Sequence, residues 1–295
     1  MSFILRSARS NDSRALRYLF GTLHAGYAHW FPLSNVVEGA LRRADIVAVE
    51  TDGMANIDIA QAATMDIMFL PDGLTWAEFL PDDAYNHLVE MVYEWGLYYN
   101  DVNTTNPVLL VQNLMMEFSV SLAESHICFA SSVDNYIIAV AKEMGVPIIG
   151  LESIEQQLDI LFNPPFEVML ALVMHLFPPN YREAQEAIIY DDIAVLDRAA
   201  YYYERNMFTA INVLIVPYVD IICLYITYLH EFVMNKRSVY FANEIARLLR
   251  DTETPTNFFV AVGLSHLIRS EISDNFTDII EQLRHMGFTV TQLWD

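Results

Sequence analysis

The chain has 295 residues, 54% of them apolar and 18% charged, and its 38 acidic against 16 basic side chains leave a formal charge of −22. Ten Gly, 11 Pro and a mean hydropathy of +0.26 exclude collagen-like, low-complexity and disordered chains, and two cysteines (Cys128 and Cys223) exclude a disulfide-built scaffold or an all-cysteine zinc site. So acidic a surface repels nucleic acid and anionic bilayers, and the high apolar content is consistent with a homo-oligomer interface.

The opening segment, MSFILRSARS, is too short in apolar run for an export signal, so the expected location is cytoplasmic. Strand-like runs then recur, each ending near a loop residue. They are Leu16–Phe20 into Gly21, Ile46–Glu50 into Thr51-Asp52-Gly53, a weaker Val108–Val111, Val146–Leu151 into Glu152, Phe258–Val262 into Gly263, and Phe288–Leu293. Helical periods lie between them at Leu33–Ala44, Asp134–Glu143 (stopped at Met144-Gly145), Val239–Leu249 and Phe276–Met286. This alternation predicts an α/β fold with a mostly parallel sheet flanked by helices. The organisation expected is one domain: an N-terminal half over 1–161, a helical insertion or cap over 162–231, and a C-terminal half over 232–295. Within the insertion, Ile211–Leu229 reaches spanning length. Pro217 and Asp220 sit in its middle, and a mid-bilayer carboxylate costs about 2.5–3.5 kcal/mol, so no membrane span is expected.

An internal repeat stands out. Leu16–His24 (LRYLFGTLH) matches Phe258–His266 (FFVAVGLSH) as strand, Gly, two residues, His, and Leu41-Arg42 matches Leu283-Arg284 at the same offset. Each terminal unit reads strand–G-x-x-H–helix–strand, which suggests two pseudo-symmetric halves with the two histidines facing each other. Ligands of parallel sheets bind beyond the strands' carboxyl ends, where Gly21 and Gly263 let the backbone turn or approach closely. His24 and His266 are therefore half of a candidate metal site; read singly, each is a hydrogen-bonded loop histidine. Glu50 and Glu152 close two further apolar strands and point into the same crevice. Two His and one or two carboxylates form an N/O shell with room for a water, the pattern of a hydrolytic metal. Read alone, each Glu is a solvated or ion-paired strand end. Arg237 is a cation placed to stabilise an oxyanion or fix a substrate carboxylate, or else a surface residue. The remaining histidines (29, 87, 126, 175, 230 and 285) lack ligand spacing, and no serine-hydrolase elbow, C-x-x-C, P-loop or G-x-G-x-x-G motif is present.

Taken in order, GTLHAGYAHWFPL (21–33), ADIVAVETD (44–52), GVPIIGLESIEQQL (145–158), FFVAVGLSHL (258–267) and HMGFTVTQL (285–293) resemble the TraB/PrgY/GumN family. That family includes the Tiki proteases and is related in fold to the ChaN and erythromycin-esterase group. The resemblance implies roles for His24, His266, Glu50, Glu152 with Gln157, and Asp134 ahead of a helix. The family's Arg-Asn pair maps to Arg237-Ser238, with Ser in place of Asn; Arg205-Asn206 has the letters but lies too far from His266. It further implies a metal-dependent, peptidase-like hydrolase using Mn, Co or Zn on a peptide or small-molecule substrate. In that mechanism one Glu is ligand, the other is general base, and Arg237 faces the oxyanion. Two alternatives stand beside this: a non-catalytic peptide-binding protein of the same fold, and a metal-free esterase-like hydrolase.

Overall fold

The short β-rich runs pair into one six-stranded sheet in the computed structural model, which describes residues 2–7, 17–24, 26–54, 56–70, 73–94, 102–106, 109, 131–170, 228–251, 255–268 and 277–293. The strands are β1 (Ser2–Ser7), β2 (Arg17–Thr22), β3 (Ile46–Thr51), β4 (Ile148–Glu152), β5 (Phe258–Gly263) and β6 (Phe288–Leu293). Their spatial order is β4-β3-β5-β2-β1-β6. The first four run parallel, whereas β1 is antiparallel to both β2 and β6. The α/β reading of the sequence therefore holds. The opening residues, weighed in the sequence only against an export signal, form β1.

The helices in chain order are α1 (Asn35–Leu41), α2 (Ile57–Ile67), α3 (Trp76–Phe79), α4 (Asp82–Glu94), α5 (Val133–Met144), α6 (Ile154–Phe162), α7 (Arg237–Asp251) and α8 (Ile279–His285). Each terminal unit crosses its counterpart. β3, which follows β2, lies beyond β5; β6, which follows β5, lies beyond β2, with β1 slotted between. Alternation along the strands sends side chains to two layers. Tyr18, Phe20, Val47, Val49, Phe259 and Ala261 pack with α1 and α5 on one face. Leu19, Ala48, Phe258, Val260 and Val262 pack with α7 and α8 on the other. The helices of the two matched units thus take opposite faces, as a pseudo-two-fold along the strands requires.

α7 shows how sequence sets this packing. Phe241, Ala242, Ile245, Ala246 and Leu249 form one buried stripe at helical spacing, and the Glu244–Arg247 pair at 2.8 Å faces solvent. A π-helix, Leu229–Lys236, runs directly into α7 and delivers Arg237 and Ser238 to its inward side, both buried. A second core, unread in the sequence, gathers α2, α3, α4 and α6 around Trp76, whose indole N–H donates to the Thr105 carbonyl at 2.9 Å.

The middle insertion is helical at its described ends, 166–170 and 228–231, and the rest of it lies outside the described residues. Val108–Val111 also falls largely outside them; its one described residue, Leu109, is helical. No helix among the described residues is long and apolar enough to cross a membrane.

Candidate functional site

The parallel pairing of β2 with β5, register Thr22 to Gly263, brings both G-x-x-H turns to one end of the sheet. His266 lies in a short 3-10 turn, Leu264–Leu267, that folds back over the strand ends. Gly21 permits that return: a Cβ there would stand 2.8 Å from Leu264 Cδ1. Gly263 has a different reason. Its N–H donates to Glu50 Oε1 at 2.5 Å, and a Cβ would press to 2.9 Å from the same oxygen. The second G-x-x-H glycine is therefore part of a carboxylate cradle.

Glu50 is buried at the end of β3 and holds two partners, Gly263 through Oε1 and Arg237 Nη2 through Oε2 at 2.9 Å. Arg237 also grips Glu152, donating from Nη2 to Oε1 at 2.6 Å and from Nε to Oε1 and Oε2 at 3.0 and 3.4 Å. One guanidinium thus joins two buried carboxylates from adjacent strands, a geometry Arg's planar fork allows and Lys's point charge does not. Burial alone would raise the Glu50 carboxyl, but the charges of His266, Arg237 and His24 and the Gly263 N–H outweigh it and hold it at about 2. Burial raises Glu152, and Arg237 reverses only part of that. The two glutamates are therefore unequal: Glu50 is a permanent anion, while Glu152 has the stronger hold on a proton.

The two histidines are anchored from behind. Ser238 Oγ–H donates to the Met234 carbonyl at 2.7 Å, which spends its only hydrogen. His266 Nδ1, 2.8 Å from the same oxygen, must then be the donor, and Nε2 keeps its lone pair. That Nε2 stands 4.0 Å from Glu50 Oε1. Burial pushes the His266 pKa down to about 4 despite Glu50, so the ring is neutral at pH 7. Phe241 packs edge-on against it at 5.2 Å and lies 4.9 Å from the Arg237 guanidinium carbon.

His24 Nδ1 donates to Asp134 Oδ2 at 2.9 Å. Asp134 is buried in the first turn of α5, where Ser132 Oγ–H also donates to it at 3.3 Å. Packing about the inner edge of the His24 ring would lower its pKa; the hydrogen bond and charge of Asp134 outweigh this and raise it to about 9. More than half of the His24 side chain, 57%, meets solvent, so the energy of the pair is screened. His24 lies near enough that its charge acts on both Glu50 and His266.

Histidines tied back through Nδ1 to a carboxylate or hydroxyl have the bearing of metal ligands with outer-shell support. Two imidazole nitrogens beside a carboxylate also suit Mn, Co or Zn by donor chemistry. Among the described residues, however, no group of three or more His, Cys, Asp or Glu is gathered closely enough to hold an ion.

His24, Glu50, Asp134, Glu152, Arg237, Ser238, Gly263 and His266 thus form one hydrogen-bonded and electrostatically coupled site. Gln157 is not drawn in; it is half-buried on α6, and the side chain that caps that helix with Ser153 is Gln156. Three contributors escaped the sequence reading: the Met234 carbonyl, the Gly263 N–H and Ser132. The only sequence signal among them was Ser132, which stands two residues before Asp134 as the helix cap. The family model described as the TraB/PrgY/gumN family matches residues 4–292. No curated protein and no solved structure matches the chain.

Proposed function

The chain belongs to the TraB/PrgY/gumN family, and from that membership and the site above we propose that it is a metal-dependent hydrolase of peptidase type. The observation that carries this reading is that His24 and His266 stand near enough for their charges to act on each other, each held through Nδ1 by a buried partner. Their Nε2 atoms would hold the ion, His24 giving up on binding the proton it carries at pH 7, with Glu50 the anion beside them. A divalent ion bound there supplies Lewis acidity and a water of lowered pKa.

The chain's own groups do the rest. Asp134 fixes the ring and proton of His24, and Ser238 fixes those of His266. Glu152 accepts the proton of the attacking water: its pKa is raised, and its Oε2 carries only one long contact, 3.4 Å to Arg237 Nε. Arg237 binds both glutamates through Nε and Nη2, which leaves Nη1 to meet the developing oxyanion.

The test is hydrolysis of a short-peptide library by the chain with Mn, Co or Zn added, and by the His24→Ala plus His266→Ala variant. Fragments that need both the ion and the two histidines support the reading. Peptides that titrate without being cut mark the peptide-binding alternative, and turnover indifferent to chelator marks the metal-free esterase-like one.

A further inference from the structure

Beside the site, an open groove of about 560 Å³ runs between the turn after β3 and the flank of α5. Its volume is within the roughly 300–1,000 Å³ of small-ligand sites. One wall is Gly53, Met54 and Asn56; the other is Asn135, Ile138 and Lys142. Both walls start at the catalytic end. Asn135 follows Asp134, which holds His24, and Gly53 follows the strand that presents Glu50. The positions 135, 138 and 142 make one stripe down α5, so the groove extends about 10 Å from Asn135 to Lys142 at 1.5 Å per residue. That is about three residues of extended peptide.

The chemistry of the walls is specific. The Asn56 side-chain oxygen accepts from the N–H groups of Asp58 and Ile59 at 3.2 and 3.4 Å, which turns its amide NH₂ away from the helix as a donor. Asn135 is exposed and offers a second amide. Lys142 is exposed at the far end and has no ion-pair partner among the described residues, in a chain with 38 acidic side chains to 16 basic ones. An exposed cation with no ion-pair partner among the described residues, lining a groove, has the chemistry to receive an anion from outside.

We propose that this groove binds the substrate beyond the cleaved bond, and that the substrate is a peptide with a carboxylate about three residues from that bond, received by Lys142. The two amides bond the peptide backbone on the way, and Ile138 and Met54 line the apolar floor. The proposal rests on the peptidase reading for its direction, and the shared ligand chemistry is a carboxylate, whether a chain terminus or an Asp or Glu side chain.

The experiment uses the full chain with added Mn and four tetrapeptides of one core sequence: free acid, terminal amide, and amides ending in Asp or Asn. Lys142→Ala and Lys142→Glu are run beside the wild type. The expected result is a preference of about five-fold in kcat/KM for the free acid over its amide, the size of one solvent-exposed ion pair, carried in KM. Lys142→Ala abolishes it, and Lys142→Glu inverts it. A parallel preference for Asp over Asn assigns the carboxylate to a side chain; its absence assigns it to the terminus. Equal turnover within both the acid–amide and the Asp–Asn pairs, or a preference that survives Lys142→Ala, overturns the groove and leaves the hydrolase reading intact. If nothing is cut, the hydrolase reading fails. The groove is then read by amide chemical shifts at Asn135 and Lys142, where acid-specific perturbation supports it and none overturns it.

Discussion

Replacing Arg237 by Met removes the one cation that Glu50 and Glu152 share while keeping much of the side-chain volume over Phe241. In the wild type, Glu50 sits at about 2 against an ordinary 4.5, which corresponds to roughly 3 kcal/mol of stability. Because the folded value is the lower one, that contribution is complete above pH 4.5 and is lost as the pH falls toward 2. His266 works in the same direction: held at about 4 against 6.5, it resists protonation in the folded state and costs stability as the pH drops through that window. Glu152, with its raised pKa, opposes part of this. The wild type therefore weakens in acid. Without Arg237, two buried carboxylates face each other with no guanidinium between them, Glu50 keeping only the Gly263 N–H and the more distant charge of His24. Breaking a buried pair from one side costs about 3–5 kcal/mol, or roughly 5–8 °C in melting temperature for a chain of this size. A proton shared between the carboxylates relieves that cost, so Arg237→Met gains stability as the pH falls from 8 to 5. Urea unfolding followed by circular dichroism across this range reads the sign directly. A variant that weakens in acid like the wild type, or loses less than about 1 kcal/mol at pH 7, refutes the shared-cation account.

Asp134→Asn removes the charge that raises His24, and the His24 titration read by NMR is expected to fall from about 9 toward 6.5; a value still near 9 contradicts the pairing. The same pair stabilises the fold below pH 6.5 and loses that contribution as the pH rises through 9. Gly263→Ala presses a methyl onto Glu50 Oε1 and is expected to cost about 1–3 kcal/mol, whereas an unchanged melting temperature rejects the cradle. Ser238→Ala frees His266 Nδ1 from its hydroxyl and is expected to add an Nε2–H tautomer in ¹⁵N-histidine spectra. Ser238→Thr retains the hydroxyl and the wild-type tautomer, and a spectrum that Ser238→Ala leaves unmoved removes Ser238 from its positioning role.

The parts of this site that were legible are those tied to local pattern. A strand that ends in Gly and reaches His three residues on, twice, already places His24 and His266 at strand ends, and the parallel rule puts strand ends together. Glu50 and Glu152 were legible for the same reason, as polar residues closing buried runs. What pattern could not settle was partnership. That Arg237 holds both glutamates depends on β3 and β4 being neighbours and on a π-helix turning α7 inward, and neither leaves a periodic mark. The inequality of the two glutamates follows from the charges of His266 and His24, which act on Glu50, with the Gly263 N–H adding to them; these are partnerships that no single residue's place in the sequence announces. Ser238, which stands where the resemblance implies an Asn, meets His266 Nδ1 through its oxygen because the Met234 carbonyl takes its hydrogen. The helices around Trp76 were missed because their apolar positions serve a second core away from the sheet. β1 was missed because its pairing partners, β2 and β6, stand at opposite ends of the chain.

The most direct test of the central claim is Mn²⁺ binding at pH 7, read by calorimetry for stoichiometry and by paramagnetic broadening of the histidine ring signals. The account predicts one ion per chain, selective broadening of His24 and His266, and loss of both effects in the His24→Ala plus His266→Ala variant. One ion per chain bound as tightly by that variant, or broadening centred on other histidines, contradicts it.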